Sequence, residues 1–414
     1  MFLERGYFML PMKYMFRQVR EYGVWNATRI VFFRIINVLI NFSILIFVSN
    51  RPLRNTIIIA SHDDFDNNGG EFYDWLIKHK YNHKYKIIWL LKHTESVPAS
   101  LPLNVECYSI YSPSFKRNYH ICTAKYFLAD DKITNKTRKK QISVYCTHGI
   151  GSLKCPRGRI LIPDSVDYVL MPAKTYMPIV ANALSMDYPN DKFVSLGYPV
   201  NDVMYAACDK SELFKLTKNK FSKVVMWLPT FRKLNTSLRC DSDKDNPLGI
   251  PLVMNMEEYN SLNSILESLD MLLIIKLHPN QLLEGLKIKD LSNIVVLTHS
   301  DMKEKSINLY KLLNSTDALI SDYSSIVGAY LHLDRPIAYV FDDIREYKLD
   351  LISDDLSQVT AGTFIYNLYD MHHFLEDIAK ENDRYMEKRH KLRDFIYEYK
   401  DGNSCKRLAE FLQL

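Results

Sequence analysis

From Thr56 onward the chain alternates short β-branched runs with amphipathic stretches, and it does so twice. The first series reads TIIIA (56–60), IIWLL (87–91), VECYSI (105–110), YFLA (126–129), SVYCT (143–147), YVLM (168–171) and FVSLG (193–197), with helical stretches such as Glu71–Lys80 and Lys174–Leu184 between them. The rhythm then restarts with VVMWLP (224–229), LLIIKL (272–277), IVVLT (294–298), ALIS (318–321) and IAYVF (337–341). In this second series helices are expected at Met256–Leu269, Ser306–Asn314 and Ser325–Leu333. Strands alternating with helices form βαβ units, and βαβ units build a mostly parallel sheet. Two such series in 414 residues, 47% of them hydrophobic, exceed one core and predict an α/β protein of two domains.

The expected boundaries follow. Residues 56–203 form the first α/β domain, the strandless polar interval 204–221 a linker, and 222–370 the second domain. Residues 371–414 read as long, charged helices, and the Asp-rich stretch 235–250 as a flexible loop. In open α/β sheets ligands bind beyond the carboxyl ends of the strands. Two domains facing each other across a central cleft would therefore present their strand ends to one ligand.

Residues 1–55 have a different character. Residues 1–54 hold eight Lys/Arg against two acids, more net charge than the +5 of the whole chain. Ile35–Asn50 is uncharged but shorter than the about 20 apolar residues of a spanning helix. Arg34, Asn37 and Asn41 make a narrow polar stripe at helical spacing. This pattern predicts a basic amphipathic helix lying on an anionic membrane surface, with a single span carrying a snorkelling Arg34 and a buried core helix as alternatives. No signal-peptide cleavage pattern stands out, which places the chain on the cytoplasmic side. A second basic cluster, Lys132, Lys136, Arg138, Lys139 and Lys140, reads equally well as a solvated loop. Such patches argue for an anionic surface or substrate and against sequence-specific nucleic-acid reading. Seven cysteines without a C-x-x-C pair imply a reduced chain, and no Cys/His set suggests a metal site or a metal cofactor.

Polar residues just after the strands supply the candidate chemistry. His148 follows the run 143–147. Thr230 and Arg232 follow 224–229. Lys276 and His278 close 272–277. Asp322, Ser324 and Ser325 lie between 318–321 and a helix. Arginine can grip two phosphate oxygens in a fork, serine hydroxyls and first-turn N–H groups can donate to an anion, and an imidazole can take a proton at neutral pH. Singly, each residue is explained as well by a helix cap, a strand stop or a core histidine. Their shared position at strand ends is what points to a pyrophosphate cradle with a base across the cleft.

With these residues in place, THGIGSLK, GYPVND, PTFRK, KLHPN and SDYSSI…RPI resemble, in order and rough spacing, the CDP-glycerol glycerophosphotransferases. This family comprises the teichoic-acid primases and polymerases and their capsule-synthesis relatives. The resemblance covers roughly residues 56–370. It implies a GT-B-like pair of Rossmann-type domains, with 56–203 serving the acceptor and 222–370 the CDP donor, and peripheral attachment to the inner membrane face. It also implies transfer of glycerol phosphate or a related polyol phosphate from CDP-glycerol or CDP-ribitol to an undecaprenyl-linked saccharide or polyol-phosphate polymer, releasing CMP. By the same resemblance His148 is the base and His278 shares the catalytic work. Arg232, His278, Ser324 and Ser325 match donor-phosphate positions, flanked by Thr230, Lys276 and Asp322. The pattern departs at Thr147, where Trp is usual, at GAYLHL (328–333), and at TAG (360–362). These departures leave the polyol and the acceptor open. A nucleotide-sugar glycosyltransferase and an inactive membrane-bound scaffold of the same fold are the competing readings.

Overall fold

Two sheets carry the protein, and within each every strand pairing is parallel. The computed structural model describes residues 12–147, 153–158, 160–230, 241–242, 244, 246–278 and 288–414. The first sheet comprises β1 (Arg54–Ala60), β2 (Lys86–Leu91), β3 (Val105–Ser109), β4 (Ala124–Ala129), β5 (Ile142–Tyr145), β6 (Tyr168–Leu170) and β7 (Phe193–Val194), in the order β3-β2-β1-β4-β5-β6-β7. The second comprises β8 (Lys223–Trp227), β9 (Met271–Lys276), β10 (Ile294–Leu297), β11 (Ala318–Ser321), β12 (Ile337–Val340) and β13 (Thr363–Ile365), in the order β10-β9-β8-β11-β12-β13. Both orders run outward from a first strand and then reverse. The switch points are β1/β4 and β8/β11, the places where doubly wound sheets open a crevice for ligands.

The apolar runs are continuous because both faces of each sheet are covered. Side chains alternate across the sheet with period two. Ile57 and Ile59 therefore join one core cluster, while Ile58 and Ala60 join another. Val224 and Met226 likewise separate from Val225 and Trp227. Each fully buried aliphatic side chain contributes about 1.5–3 kcal/mol. The largest cluster takes residues from both sheets, including Ile57, Met226, Ile274 and Leu408, so the two halves share a core at their junction.

Twelve strands fall where the sequence predicts, several starting earlier and several ending sooner than the apolar runs. The chain leaves β5 after Tyr145, and Thr147 already has a left-handed backbone (φ 46°). The thirteenth, β13, is not anticipated, being three residues at a sheet edge. The TAG segment leads into it, and a Cβ on Gly362 would lie 2.1 Å from the carbonyl oxygen of Ile337, so the close approach to β12 requires glycine. The expectation of a flexible loop at 235–250 is corrected for its described residues. Asp241 and Ser242 are fully buried, Ser242 bridges to Tyr347, and Asp241 accepts from the Lys348 N–H at 2.9 Å. Hydrogen bonding to a neighbouring segment lets polar residues be buried. The helix expected at Ser325–Leu333 is an α-helix only over Ile326–Tyr330, followed by a 3-10 turn at Leu331–Leu333. The helices of 371–414 divide between the halves. Leu368–Ala379 packs on the second sheet, whereas Ser404–Phe411 returns to the first, with Ser404 and Cys405 N–H groups donating to Asp202.

Three helices frame the first domain: α1 (Met12–Val48), α2 (Asn67–Lys78) and α3 (Phe115–Thr123). The apolar part of α1, Thr28–Val48, is long and apolar enough to cross a membrane by length and composition, a longer stretch than the uncharged Ile35–Asn50. Of the polar stripe, Arg34 is exposed, but Asn37 and Asn41 face the protein. Asn37 accepts from Arg117 (2.5 Å) and Asn118 (3.0 Å) of α3, Cys122 lies against Asn41, and Ile44 and Val48 are buried. Phe32, Ile35, Leu39, Phe42 and Ile46, spaced three and four apart on the opposite face, are each more than half exposed. From Asn37 to Val48 the helix thus turns its two asparagines, with Ile44 and Val48, to the protein.

Candidate active site

The switch point of the second sheet is built from three adjacent strand ends. β8 lies between β9 and β11, so residues just past these strands are neighbours. Beyond β8, the N–H and the hydroxyl of Thr230 both donate to Asp322 Oδ2, each at 2.9 Å. Ser321 Oγ donates to the Leu228 carbonyl at 3.0 Å. Thr230 and the fully buried Asp322 thereby lock the ends of β8 and β11 together, which is a structural task.

Past Asp322 the chain turns on Tyr323, fully buried, stacked on Tyr347 with centroids 3.7 Å apart and donating to Asp343 at 3.2 Å. Ser324 and Ser325 follow. Ser324 Oγ accepts from the Ile326 N–H at 3.4 Å, and Ser325 makes no side-chain cap bond. With only five residues in the helix behind them, hydroxyls and N–H groups, rather than a long helix dipole, are what this turn offers an anion.

β9 contributes Lys276 and His278. Lys276 is only 9% exposed, and burial pushes its ammonium down to about 8, with Asp63 opposing that shift. His278 lies two residues beyond the strand and is half-buried. Of the candidates, His148 and Arg232 lie outside the described residues. The structure thus brings Thr230, Asp322, Ser324, Ser325, Lys276 and His278 to one sheet edge.

The first half answers with a loop that holds none of the residues expected from the sequence. SHDDFDNN, residues 61–68 between β1 and α2, lies at the switch point β1/β4. Asp63 reaches the second half, where His299 Nε2 is 2.9 Å away. Asn68 is buried and donates to the Thr147 carbonyl at 3.0 Å. At the end of β4, Asp130 Oδ2 accepts from the Gly69 N–H at 3.0 Å, and burial pushes its carboxyl well above the ordinary range. Next to it Asp131 pairs with Lys92 and His62. The rule that collected the other candidates, polar residues directly after an apolar run, also finds this loop after TIIIA.

Between the halves lies a cavity of about 30 Å³, lined by Asn67, Asn68, Thr147, Tyr198, Tyr310 and Ser325. It has room for one or two water-sized groups. It connects the strand end that precedes His148 with the serine turn. His332, in the divergent GAYLHL segment, sits deeper in the junction. Its ring nitrogens pair with Asn201 (2.9 Å) and Tyr205 (2.7 Å), and burial pushes it down to about 3, so it stays neutral. Through His332 that segment anchors the junction, and through Ala329 it lines the cavity. Among the described residues no group of three or more His, Cys, Asp or Glu is placed to hold a metal ion.

Comparison with known proteins identifies the family and the fold. Residues 44–414 match the family described as CDP-Glycerol:Poly(glycerophosphate) glycerophosphotransferase. The teichoic acid glycerol-phosphate primase of Bacillus subtilis is 22% identical over 364 residues, covering 81% of this chain and 86% of that protein. The teichoic acid ribitol-phosphate primase of Bacillus spizizenii is 23% identical over 321 residues, covering 71% and 76%. A solved variant of the wall teichoic acid polymerase TagF superposes with a TM-score of 0.73 over 98% of both chains at 18% identity, a likeness of fold.

Proposed function

The chain belongs to the CDP-glycerol:poly(glycerophosphate) glycerophosphotransferase family, and from that premise we propose that it moves a polyol phosphate from a CDP-polyol to a lipid-linked saccharide or polymer acceptor. In this reading the acceptor hydroxyl attacks the polyol-bearing phosphorus in line. The new P–O bond forms as the bond to the bridging oxygen breaks, and CMP leaves with the electron pair. His148 takes the hydroxyl proton. Arg232, Lys276 and His278 balance charge on the phosphates, and Ser324 and Ser325 donate hydrogen bonds. Thr230 and Asp322 hold the two strand ends in register for these groups.

The observation that carries this reading is the convergence of three adjacent strand ends, β9, β8 and β11, at a switch point facing the first half. The test is nucleotide release, CMP from CDP-glycerol or CDP-ribitol and a nucleoside diphosphate from nucleoside-diphosphate sugars, across a panel of these donors. A CDP-polyol alone should support turnover, and His148→Ala should abolish it. Turnover with a nucleotide sugar and none with a CDP-polyol would overturn the reading.

The same reading places the chain on a membrane. α1 between Asn37 and Val48 is bonded to α3 of the globular domain and cannot sit inside a bilayer. The remainder, 12–36, carries Lys13, Arg17, Arg20, Glu21, Arg29 and Arg34, too many charges for a span. An interfacial position with the Phe32–Ile46 face down satisfies both facts. Exposed Lys139 and Lys140 lie near the end of α1, where Arg138 donates to the Ser49 carbonyl at 2.9 Å, and they suit anionic headgroups. Lys136 is instead paired with Asp167.

A further inference from the structure

One contact across the cleft has an unusual charge arrangement. Among the described residues, the second-half groups that pair with Asp63, from the β1–α2 loop of the first half, are basic. Its Oδ2 is 2.9 Å from His299 Nε2 and its Oδ1 is 4.0 Å from Lys303 Nζ. Its charge is also felt by Lys276. These three belong together. Leu297 of β10 pairs with Lys276 of β9, so His299 stands two residues beyond the register partner of Lys276, and Lys303 lies one helical turn further on. They add the end of β10 to the row of strand ends β9, β8 and β11 that the candidate site already uses. Burial alone would raise the Asp63 carboxyl. The hydrogen bond and charge of His299, with Lys303 behind it, hold it below the ordinary range.

The loop presents Asp63 deliberately. The Asp63 N–H donates to Asp66 Oδ1 at 2.9 Å. The carboxylate of Asp64 accepts from the N–H groups of Lys92 and His93, each at 2.8 Å. Asp64, Phe65 and Asn67 all have left-handed backbones, so the loop holds its shape against local preference. The Asp63 and His299 side chains remain about one-third exposed, open to a competitor from the cleft.

We propose that Lys276, His299 and Lys303 form an anion seat on the donor-binding face, and that Asp63 occupies this seat until a phosphate group of the nucleotide donor displaces it. The proposal rests on the polyol-phosphate transferase reading for the identity of the donor. Chemically, a carboxylate carries one charge on two oxygens. A phosphate of a diphosphate presents more oxygens and comparable or greater charge, so it competes well for two cations and an imidazole.

A plain latch that closes the two halves would use the same contact, and the two roles differ in sign. If Asp63 is an occupant, removing its charge frees the seat, while removing His299 or Lys303 damages it. If the contact is only a latch, either side of the pair breaks it and all variants move the same way. The experiment is calorimetric titration of the full chain with CDP and, separately, inorganic pyrophosphate. Asp63→Asn should bind both probes about tenfold more tightly, the scale of one charge contact at a half-buried site. His299→Ala and Lys303→Met should bind both more weakly, and Asp63→Glu, which keeps an occupant, should stay near wild type. Unchanged or weaker binding by Asp63→Asn overturns the proposal. A wild-type chain that binds pyrophosphate but no CDP would count against the donor reading, while the pyrophosphate series would still decide the seat.

Discussion

The side-chain amide of Asn68 donates to the carbonyl oxygen of Thr147 at 3.0 Å, while its own oxygen accepts from the Val200 N–H at 3.2 Å. One buried residue thus ties the start of α2 to the end of β5 and to the segment that leaves β7. Thr147 is β-branched and left-handed, a conformation that surrounding bonds must enforce. The next residue is His148. Asn68→Ala leaves a buried carbonyl and a buried N–H without this partner, and a loss of about 2 kcal/mol in denaturant unfolding is expected. Asn68→Asp, which turns a second oxygen toward the Thr147 carbonyl, should be at least as damaging. Wild-type stability in both would contradict the clamp.

The Thr230–Asp322 lock makes a graded prediction. Thr230→Val removes one of two hydrogen bonds to Asp322 Oδ2, at a cost of about 1 kcal/mol, whereas Asp322→Ala removes the acceptor for both and should cost about 2–4 kcal/mol. Urea unfolding of the two variants checks the order. Equal losses would mean that the carboxylate has no special part in joining β8 to β11.

Much of this was legible in advance, and the reasons are local. A buried parallel strand is a run of apolar residues that stops where the sheet stops, so Lys276, Thr230 and Asp322 could be placed at strand ends from the sequence. That β9 and β11 both flank β8 could not, because pairing order is a tertiary property. Asp63 and Asn68 escaped notice since polar residues after a strand look like any loop until the opposing domain is in place. The polar stripe of α1 was visible, but which way it faced was not. Asn37 and Asn41 fit a headgroup layer and a protein surface equally well, and only Arg117 and Asn118 decide between them.

Glu71 gives a pH dependence. Burial, with Asp74 nearby, pushes its carboxyl up from 4.5 to about 7, while Asn308 of the other half donates to it at 3.1 Å. The folded state holds this proton more tightly than the unfolded chain. The stabilisation is therefore complete below pH 4.5 and is lost as pH rises through about 7. Glu71→Gln resembles the protonated form, so its melting temperature should gain on wild type between about pH 5 and about pH 8. A constant difference across that range would remove Glu71 from the account.

The two faces of α1 should separate under mutation. Leu39→Glu combined with Phe42→Glu places charges on the exposed apolar face, where each large side chain is worth about 1.5–3 kcal/mol on burial. Binding to anionic vesicles, followed by flotation, should fall more than about tenfold with the domain still folded. Asn37→Leu should do the reverse, leaving vesicle binding intact while lowering the melting temperature through the loss of the Arg117 bond to Asn37 Oδ1. If the double variant floated like wild type, the membrane-facing surface would have to lie elsewhere.

The return of Ser404–Phe411 to the first half bears on how the protein is made. Asp202 waits for N–H groups that lie 202 and 203 residues further along the chain, and Leu196 waits for Arg407. The first sheet can pair its strands as it leaves the ribosome, but a patch of its surface, including the edge of Tyr168 that Phe411 covers, stays bare until the whole second half has been synthesised. For that interval a nascent chain exposes apolar surface that the finished protein hides, and a ribosome stalled within the second domain would hold a substrate for chaperones.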